Sequence, residues 1–315
     1  MLDRIRNVAR DPAVIPRYLA AKHKLLRLRY RERHNQGILS VNIDSRNGFF
    51  GQLTWCLYVF AYCDDRNLIP HIVLTGAHFV NPRIGRDWFQ YYFEQHESTY
   101  VRKHLVTTVG ICRLSDLGLL TSCFTQMSIE RAAQLAAKYL QLRPEISDAV
   151  EAFAAEHFAG RVVVGLHYRG TDKTTESPRV PYEEVSRVLH EYLERHSDVE
   201  CLFVATDESP FLDYIRKACA AVPICCCDDL RSNSSLAIHR PAFAGDAYRK
   251  GREALVNALL LSRCHGVIRT ASTLSAWASI FNPQLPVTML NQPYNEALWF
   301  PDKAIVQRLR QHGAG

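Results

Sequence analysis

The stretch Val162-Val163-Val164-Gly165-Leu166-His167-Tyr168-Arg169-Gly170-Thr171-Asp172-Lys173 decides the fold. Its first five residues form an apolar run of strand length that reads as a buried strand. The strand ends in a turn that places an imidazole, a guanidinium, a carboxylate and an ammonium within seven residues. In open α/β sheets the carboxyl edge of the strands is where ligands bind. A turn so equipped can grip a phosphorylated ligand and can also orient a neutral polar one.

Working outward from that turn, the second half of the chain alternates regularly. A strand over 162–166 precedes a helix over 182–196, and a strand over 201–205 precedes a helix over 210–220. A strand over 222–227 leads into a polar loop over 228–245. A helix over 249–263 then precedes the strand Gly266–Arg269, and the helix Thr273–Phe281 precedes a strand over 286–290. Strands alternating with helical patterns of this length predict a parallel sheet.

The first half follows the same plan less tidily. It has a strand at Ile38–Ile43, a glycine-containing turn at 47–51, a helix over 53–62 and a strand at Ile69–Leu74. An aromatic-rich segment over 78–100 precedes helices over 128–142 and 145–159, broken at Arg143-Pro144. The prediction is an α/β molecule of two Rossmann-like, doubly wound lobes facing a cleft, with a basic helical extension. Residues 1–36 are the extension, 37–150 the first lobe, 151–300 the second lobe, and 301–315 a tail.

Composition narrows the function. The chain has 315 residues, 47% of them hydrophobic, enough for a packed core. Residues 1–34 hold ten Lys/Arg and three acids, so the head carries +7 and the rest −1 of the total of +6. A near-neutral body argues against a nucleic-acid groove. The basic head suits an anionic membrane surface, where each cation gains roughly 1 kcal/mol. No secretory signal and no run of about 20 apolar residues is visible. The ten cysteines mostly sit singly in apolar runs, as reduced structural thiols do. The expected location is therefore the cytoplasm, at the inner membrane face if the head docks there.

Four groups stand at predicted strand ends: His167 to Lys173, Thr206-Asp207-Glu208, Arg269 to Thr273, and Asn47 to Gly51. In a doubly wound sheet such ends share one edge, so groups distant in sequence converge. Each also has a plainer role as a solvated turn or a helix cap. A capped helix start can still present backbone N–H groups to phosphate. The dinucleotide fingerprint, the P-loop and the nucleophile elbow are all absent. No Asp-x-Asp occurs to hold a metal against a diphosphate, so if a diphosphate leaves in the reaction its charge falls to Arg169 and a helix amino terminus.

These motifs resemble the GDP-fucose-dependent fucosyltransferases: the bacterial nodulation-factor and N-glycan core α-1,6 enzymes and, more distantly, the protein O-fucosyltransferases. His167, Arg169, Thr171, Asp172 and Lys173 match their first motif. Ala205, Thr206 and Asp207 match the second. The apolar helix over 255–261, the strand over 266–268 and Ser272-Thr273-Leu274-Ser275 match the third. Gly48, Gly51, Gln52 and Leu53 stand for an early glycine turn.

The resemblance covers roughly residues 37–292 and implies a GT-B fold, with 37–150 as the acceptor-side lobe and 151–300 as the nucleotide-sugar-binding lobe, and inverting, metal-independent transfer of fucose from GDP-fucose to a glycan hydroxyl. It implies that Arg169 holds the β-phosphate and that His167, Thr206 and Asp207 line the nucleotide pocket. Ser272, Thr273 and Ser275 would bind the diphosphate, with Gly51 and Asn257 as further donor contacts. Glu176 is the candidate general base, with Asp172, Glu208 and Asp44 as rivals. Lys173 would pair with the diphosphate or with Asp172. The chain departs from the α-1,6 enzymes at Gly170, where they carry a second arginine, and at Asn257, where they carry an acid. The alternatives are transfer from GDP-mannose or a UDP-sugar, and a non-catalytic membrane-associated scaffold that binds no nucleotide.

Overall fold

The computed structural model describes residues 38–95, 106–111, 127–170, 175–233, 238 and 246–311. The basic extension, Asp172 and Lys173 lie outside them.

Two parallel sheets organise the chain. In the first, β1 (Ile38–Ile43) lies between β2 (Ile69–Leu74) and β4 (Val106–Ile111), parallel to both. Helix α1 (Phe49–Asp64) packs on this sheet. It begins four residues before the apolar periodicity suggests, because Phe49 and Phe50 are both buried. Phe49 sits in an aromatic cluster with Phe79, Trp88 and Tyr92, at centroid separations of 5.2 to 5.6 Å. The aromatic-rich segment thus serves as core. It contains a short 3-10 turn at Trp88–Tyr91 and strand β3 (Phe93–Glu94).

Helix α2 (Ile129–Tyr139) ends earlier than its pattern predicts. The next residues leave it to form β5 (Gln141–Leu142), which pairs antiparallel with β3. Helix α3 (Pro144–His157) starts with proline at its first position, where the missing N–H costs nothing.

The second sheet contains β6 (Val163–Tyr168), β7 (Cys201–Thr206), β8 (Ile224–Cys225), β9 (Gly266–Arg269) and β10 (Val287–Met289), all parallel. Helices α4 (Tyr182–Arg195), α5 (Ser209–Ala218), α6 (Ala247–Ser262) and α7 (Thr273–Phe281) connect them. In space the order is β10-β9-β6-β7-β8. The winding direction therefore reverses between β6 and β9, which opens a crevice at the carboxyl ends of those two strands. Every residue of β6, β7 and β9 is buried, as strands covered by helices on both faces require.

One apolar core joins the two sheets. Trp277 on α7 is fully buried, packs on Phe50 and donates its Nε1–H to Thr54 Oγ1 at 3.0 Å. Tyr92 stacks on Tyr248 at 5.5 Å and donates to its carbonyl. The terminal stretch folds back as α8 (Asp302–Gln311), with Ile305 and Val306 buried. Its Arg308 pairs with Glu130 on α2. All eight described cysteines are free thiols, and six are buried.

Candidate active site

The crevice between β6 and β9 is laced by backbone contacts. The Thr270 N–H donates to the His167 carbonyl at 3.0 Å, and the Arg169 N–H donates to Thr270 Oγ1 at 2.9 Å. His167 is thereby fixed one residue before the strand ends and is only 4% exposed. Burial holds its imidazole pKa well below the usual range, and the Arg269 and Arg169 guanidiniums push the same way. The ring is therefore neutral at neutral pH. Its Nδ1 is buried without a hydrogen-bond partner.

Arg169 leaves the strand end with its side chain 18% exposed, and its Nε lies 3.8 Å from Asp207 Oδ2. Asp207 follows β7, so the first and second strand-end groups do meet. Thr206 is buried, and its Oγ1 accepts from the Glu208 N–H at 3.2 Å, closing its own turn.

Arg269 is the group whose importance the sequence understated. It ends an otherwise apolar strand and is completely buried. Its Nε donates to Ser275 Oγ at 2.8 Å, and its Nη2 donates to the Ser272 carbonyl at 2.8 Å and to Asp302 Oδ1 at 2.5 Å. Its Nη1 has no partner. This guanidinium fixes the start of α7 and ties α8 to it. Ser275 therefore faces Arg269. Ser272 is the cap residue of α7 but makes no side-chain cap bond. Two arginines and an uncapped helix start thus converge beside a neutral histidine. Such an arrangement favours an anion.

Glu208 is removed from the list of accessible bases by its partners. It is 5% exposed, accepts from Tyr182 Oη at 2.6 Å and pairs with Arg179 at 3.3 Å. It also explains Gly170: a Cβ there would stand 2.6 Å from Glu208 Oε1 and 2.8 Å from Tyr168 Cε1. Any side chain at that position has to displace the Glu208 carboxylate and the Tyr168 ring, and the cation that reaches Glu208 comes from Arg179.

Glu176 and Thr273 line one pocket, with Ser177, Ala271 and residues of the 293–302 segment. Asn291, which the sequence reading missed, stitches it together. Its Oδ1 accepts from the Ala271 N–H at 2.7 Å, and its Nδ2 donates to the Pro178 carbonyl at 2.6 Å. An asparagine just past a strand carries no periodic signal, so only the fold reveals it.

Asn257 lies on α6, at the other flank of the sheet. Its Nδ2 donates to Asp229 Oδ2 at 2.7 Å in the turn after β8. Burial pushes the Asp229 carboxyl up to about 6, against the pull of the Asn257 amide. Gly51 is in the first turn of α1, beside Phe50, which packs on Trp277 of α7. The early glycine turn is thus anchored to the helix that opens the anion-favouring crevice. A Cβ at Gly51 would lie 3.1 Å from Asn47 Cβ, a tight but adjustable contact.

Known proteins share this architecture. A crystal structure of NodZ α-1,6-fucosyltransferase co-crystallised with GDP aligns with 76% of this chain and 91% of its own, at 19% identity and a TM-score of 0.50. One soaked with GDP-fucose aligns with 77% of this chain and 92% of its own, at 18% identity and a TM-score of 0.50. At those identities the likeness concerns the fold: α/β, of the GT-B type. Nodulation protein Z of Bradyrhizobium diazoefficiens is 26% identical over 165 residues. That match spans 48% of this chain and 43% of the relative, less than half of its length. The profile of the family described as Nodulation protein Z (NodZ) matches residues 112–304, which take in every strand of the crevice. Since that match covers more than half of the chain, the protein belongs to the NodZ family.

Proposed function

We propose that the protein is an inverting glycosyltransferase that moves fucose from GDP-fucose to a hydroxyl of a glycan acceptor. The observation that carries this reading is the meeting of Arg169, Arg269 and His167 at the switch point of a NodZ-family sheet. The family relative of known structure was crystallised with GDP and soaked with GDP-fucose. A diphosphate leaving group needs donors placed where its charge develops; Arg169 supplies a guanidinium here, and buried Arg269 fixes the α7 start that presents backbone N–H groups.

In the reaction, the acceptor hydroxyl oxygen attacks the anomeric carbon from the face opposite the diphosphate. Its proton passes to a carboxylate, for which Glu176 is the candidate. The carbon–oxygen bond to the β-phosphate breaks, and its electron pair leaves on GDP. Arg169 turns from Asp207 to the β-phosphate. The uncapped start of α7 and the fixed Arg269 add to the same field. His167, held neutral, hydrogen-bonds within the nucleotide pocket without adding charge. Transfer proceeds without a metal. The basic head at 1–34 docks on anionic lipid and brings the site to a glycan built at the inner membrane face.

Calorimetric titration with GDP, GDP-fucose, GDP-mannose and UDP-sugars tests the donor. Tightest binding of GDP-fucose is expected, and a UDP-sugar preference would replace the donor assignment. Turnover in chelator is expected to equal turnover with manganese. Loss in chelator with recovery on manganese would overturn metal independence. Vesicles of anionic lipid should retain the full chain, and a chain lacking residues 1–34 should be released.

A further inference from the structure

We propose that the pocket beside Glu176, built from residues 176–302 and not from the 37–150 lobe that the resemblance makes the acceptor side, is the acceptor subsite, taking a neutral pyranose ring stacked on Trp299. The assignment of its occupant as the acceptor rests on the transferase reading above.

The pocket encloses about 60 Å³ between three walls. Glu176 and Ser177 come from the loop after β6, Ala271 from the turn after β9 with Thr273 at the start of α7, and Trp299 from the segment before α8 with Asp302 at the start of that helix. Its polar lining is carboxylate and hydroxyl, and no lysine or arginine lines it among the described residues. With Asp302 already paired to Arg269, a lining of carboxylate and hydroxyl groups beside an indole suits an uncharged polyol. The diphosphate belongs to the adjoining crevice, where Arg169 and Arg269 meet.

The aromatic side chains supply the second observation. Three large hydrophobic side chains are strongly exposed among the described residues: Ile84, Tyr294 at 43% and Trp299 at 54%. Two of the three fall within one six-residue segment at the rim of this pocket. Leaving such area in water forgoes the stabilisation that burial would give it. Clustered exposed apolar surface therefore marks a binding site.

Nor is this a loose loop. The Trp299 N–H donates to the Ala297 carbonyl at 2.9 Å, and the Lys303 N–H donates to the Trp299 carbonyl at 2.9 Å. The Tyr294 N–H donates to the Glu176 carbonyl at 2.9 Å, so the aromatic segment and the candidate base are positioned together. A sugar ring has an apolar C–H face and an edge of hydroxyls. An indole face beside carboxylates and hydroxyls matches both. The base of an inverting transfer touches the acceptor hydroxyl, not the leaving group, so the ring beside Glu176 is the acceptor's.

The test is saturation-transfer NMR on the full chain with a panel of methyl glycosides, with and without GDP. The ring C–H protons of at least one glycoside should be saturated by the wild-type protein. Affinity should fall about tenfold in Trp299→Ala and be largely kept in Trp299→Phe. Circular dichroism and GDP titration confirm that each variant is folded. The subsite is overturned if no glycoside is saturated while GDP binds, or if Trp299→Ala matches wild type. Should Trp299→Ala weaken GDP-fucose but not GDP, the ring is the donor's and the acceptor assignment falls. Glycoside saturation that depends on Trp299 in a protein that binds no GDP would keep the sugar pocket and overturn the transferase reading. Binding of neither overturns both.

Discussion

The carboxyl edges of the two parallel sheets are equipped differently. After β1 the edge is neutral and self-contained. The Asn47 N–H donates to Ser45 Oγ at 3.1 Å, and Gln52 Nε2 donates to the Asn47 carbonyl at 2.8 Å. The charged residues there, Asp44 and Arg46, are exposed. After β6 and β9 the edge holds a fully buried arginine, a second arginine and a buried neutral histidine. Both edges come from the same kind of strand–turn–helix unit. The first builds a rigid shoulder for α7 through Phe50 and Thr54, and the second builds a seat for negative charge. The same unit thus gives a scaffold or a binding edge, according to where its cations end up.

The largest test of that contrast is Arg269→Ala. It leaves Asp302 without its buried partner and should cost about 3 to 5 kcal/mol of stability by urea unfolding. A cost below about 1 kcal/mol would show that the second edge is no more tightly built than the first. Next comes Arg169→Ala. Turnover should fall roughly 10²- to 10³-fold with the urea midpoint nearly unchanged. An equal loss from a variant at the first edge would erase the distinction between shoulder and seat.

Two aspartates sharpen the comparison through pH. Asp229, beside the second sheet, is raised from 3.8 to about 6, chiefly by burial. The folded chain keeps a proton there that the unfolded chain releases. Stability is therefore lost as pH rises from 3.8 through about 6, and the deficit persists above. Asp229→Asn should remove the deficit, gaining on the order of 1 to 3 kcal/mol at neutral pH.

Asp64, at the end of α1, is lowered to about 2, foremost by its hydrogen bond to Lys138. It also pairs with Arg131 at 2.6 Å. Its contribution is present above 3.8 and lost as pH falls through about 2. Asp64→Asn should cost about 1 to 2 kcal/mol at neutral pH and flatten the acid limb. Unfolding series across pH check both signs.

The smallest expected effect is Gly51→Ala. The tight approach to Asn47 and the gain in helix propensity nearly offset, leaving stability within about 1 kcal/mol of wild type. Clear loss of GDP binding in that variant would make the first edge part of the seat.

Much of this was legible in advance. The run ending at Leu166 marked the central strand, and the charged turn after it marked the edge that forms the crevice. Alternating apolar runs placed every strand of the second sheet, because strand and helix periods are local properties of the chain. The early end of α2 was not legible, since Gln141 and Leu142 leave the helix to pair with β3, a partner far back in sequence. Nor was α8, whose short, charged sequence hides Ile305 and Val306 among polar residues.

The sequence by itself determined which residue types stand at each strand end, and so the kind of ligand the edge suits. Only the tertiary structure decided their roles. It buried Arg269 against Asp302, took Glu208 out of reach with Arg179 and Tyr182, and set Glu176 beside an exposed indole. The reason is physical. Periodicity fixes which face a side chain takes, but charge pairing and desolvation depend on distances between residues far apart in the chain, 33 positions for Arg269 and Asp302 and 178 for Arg308 and Glu130, that only packing sets.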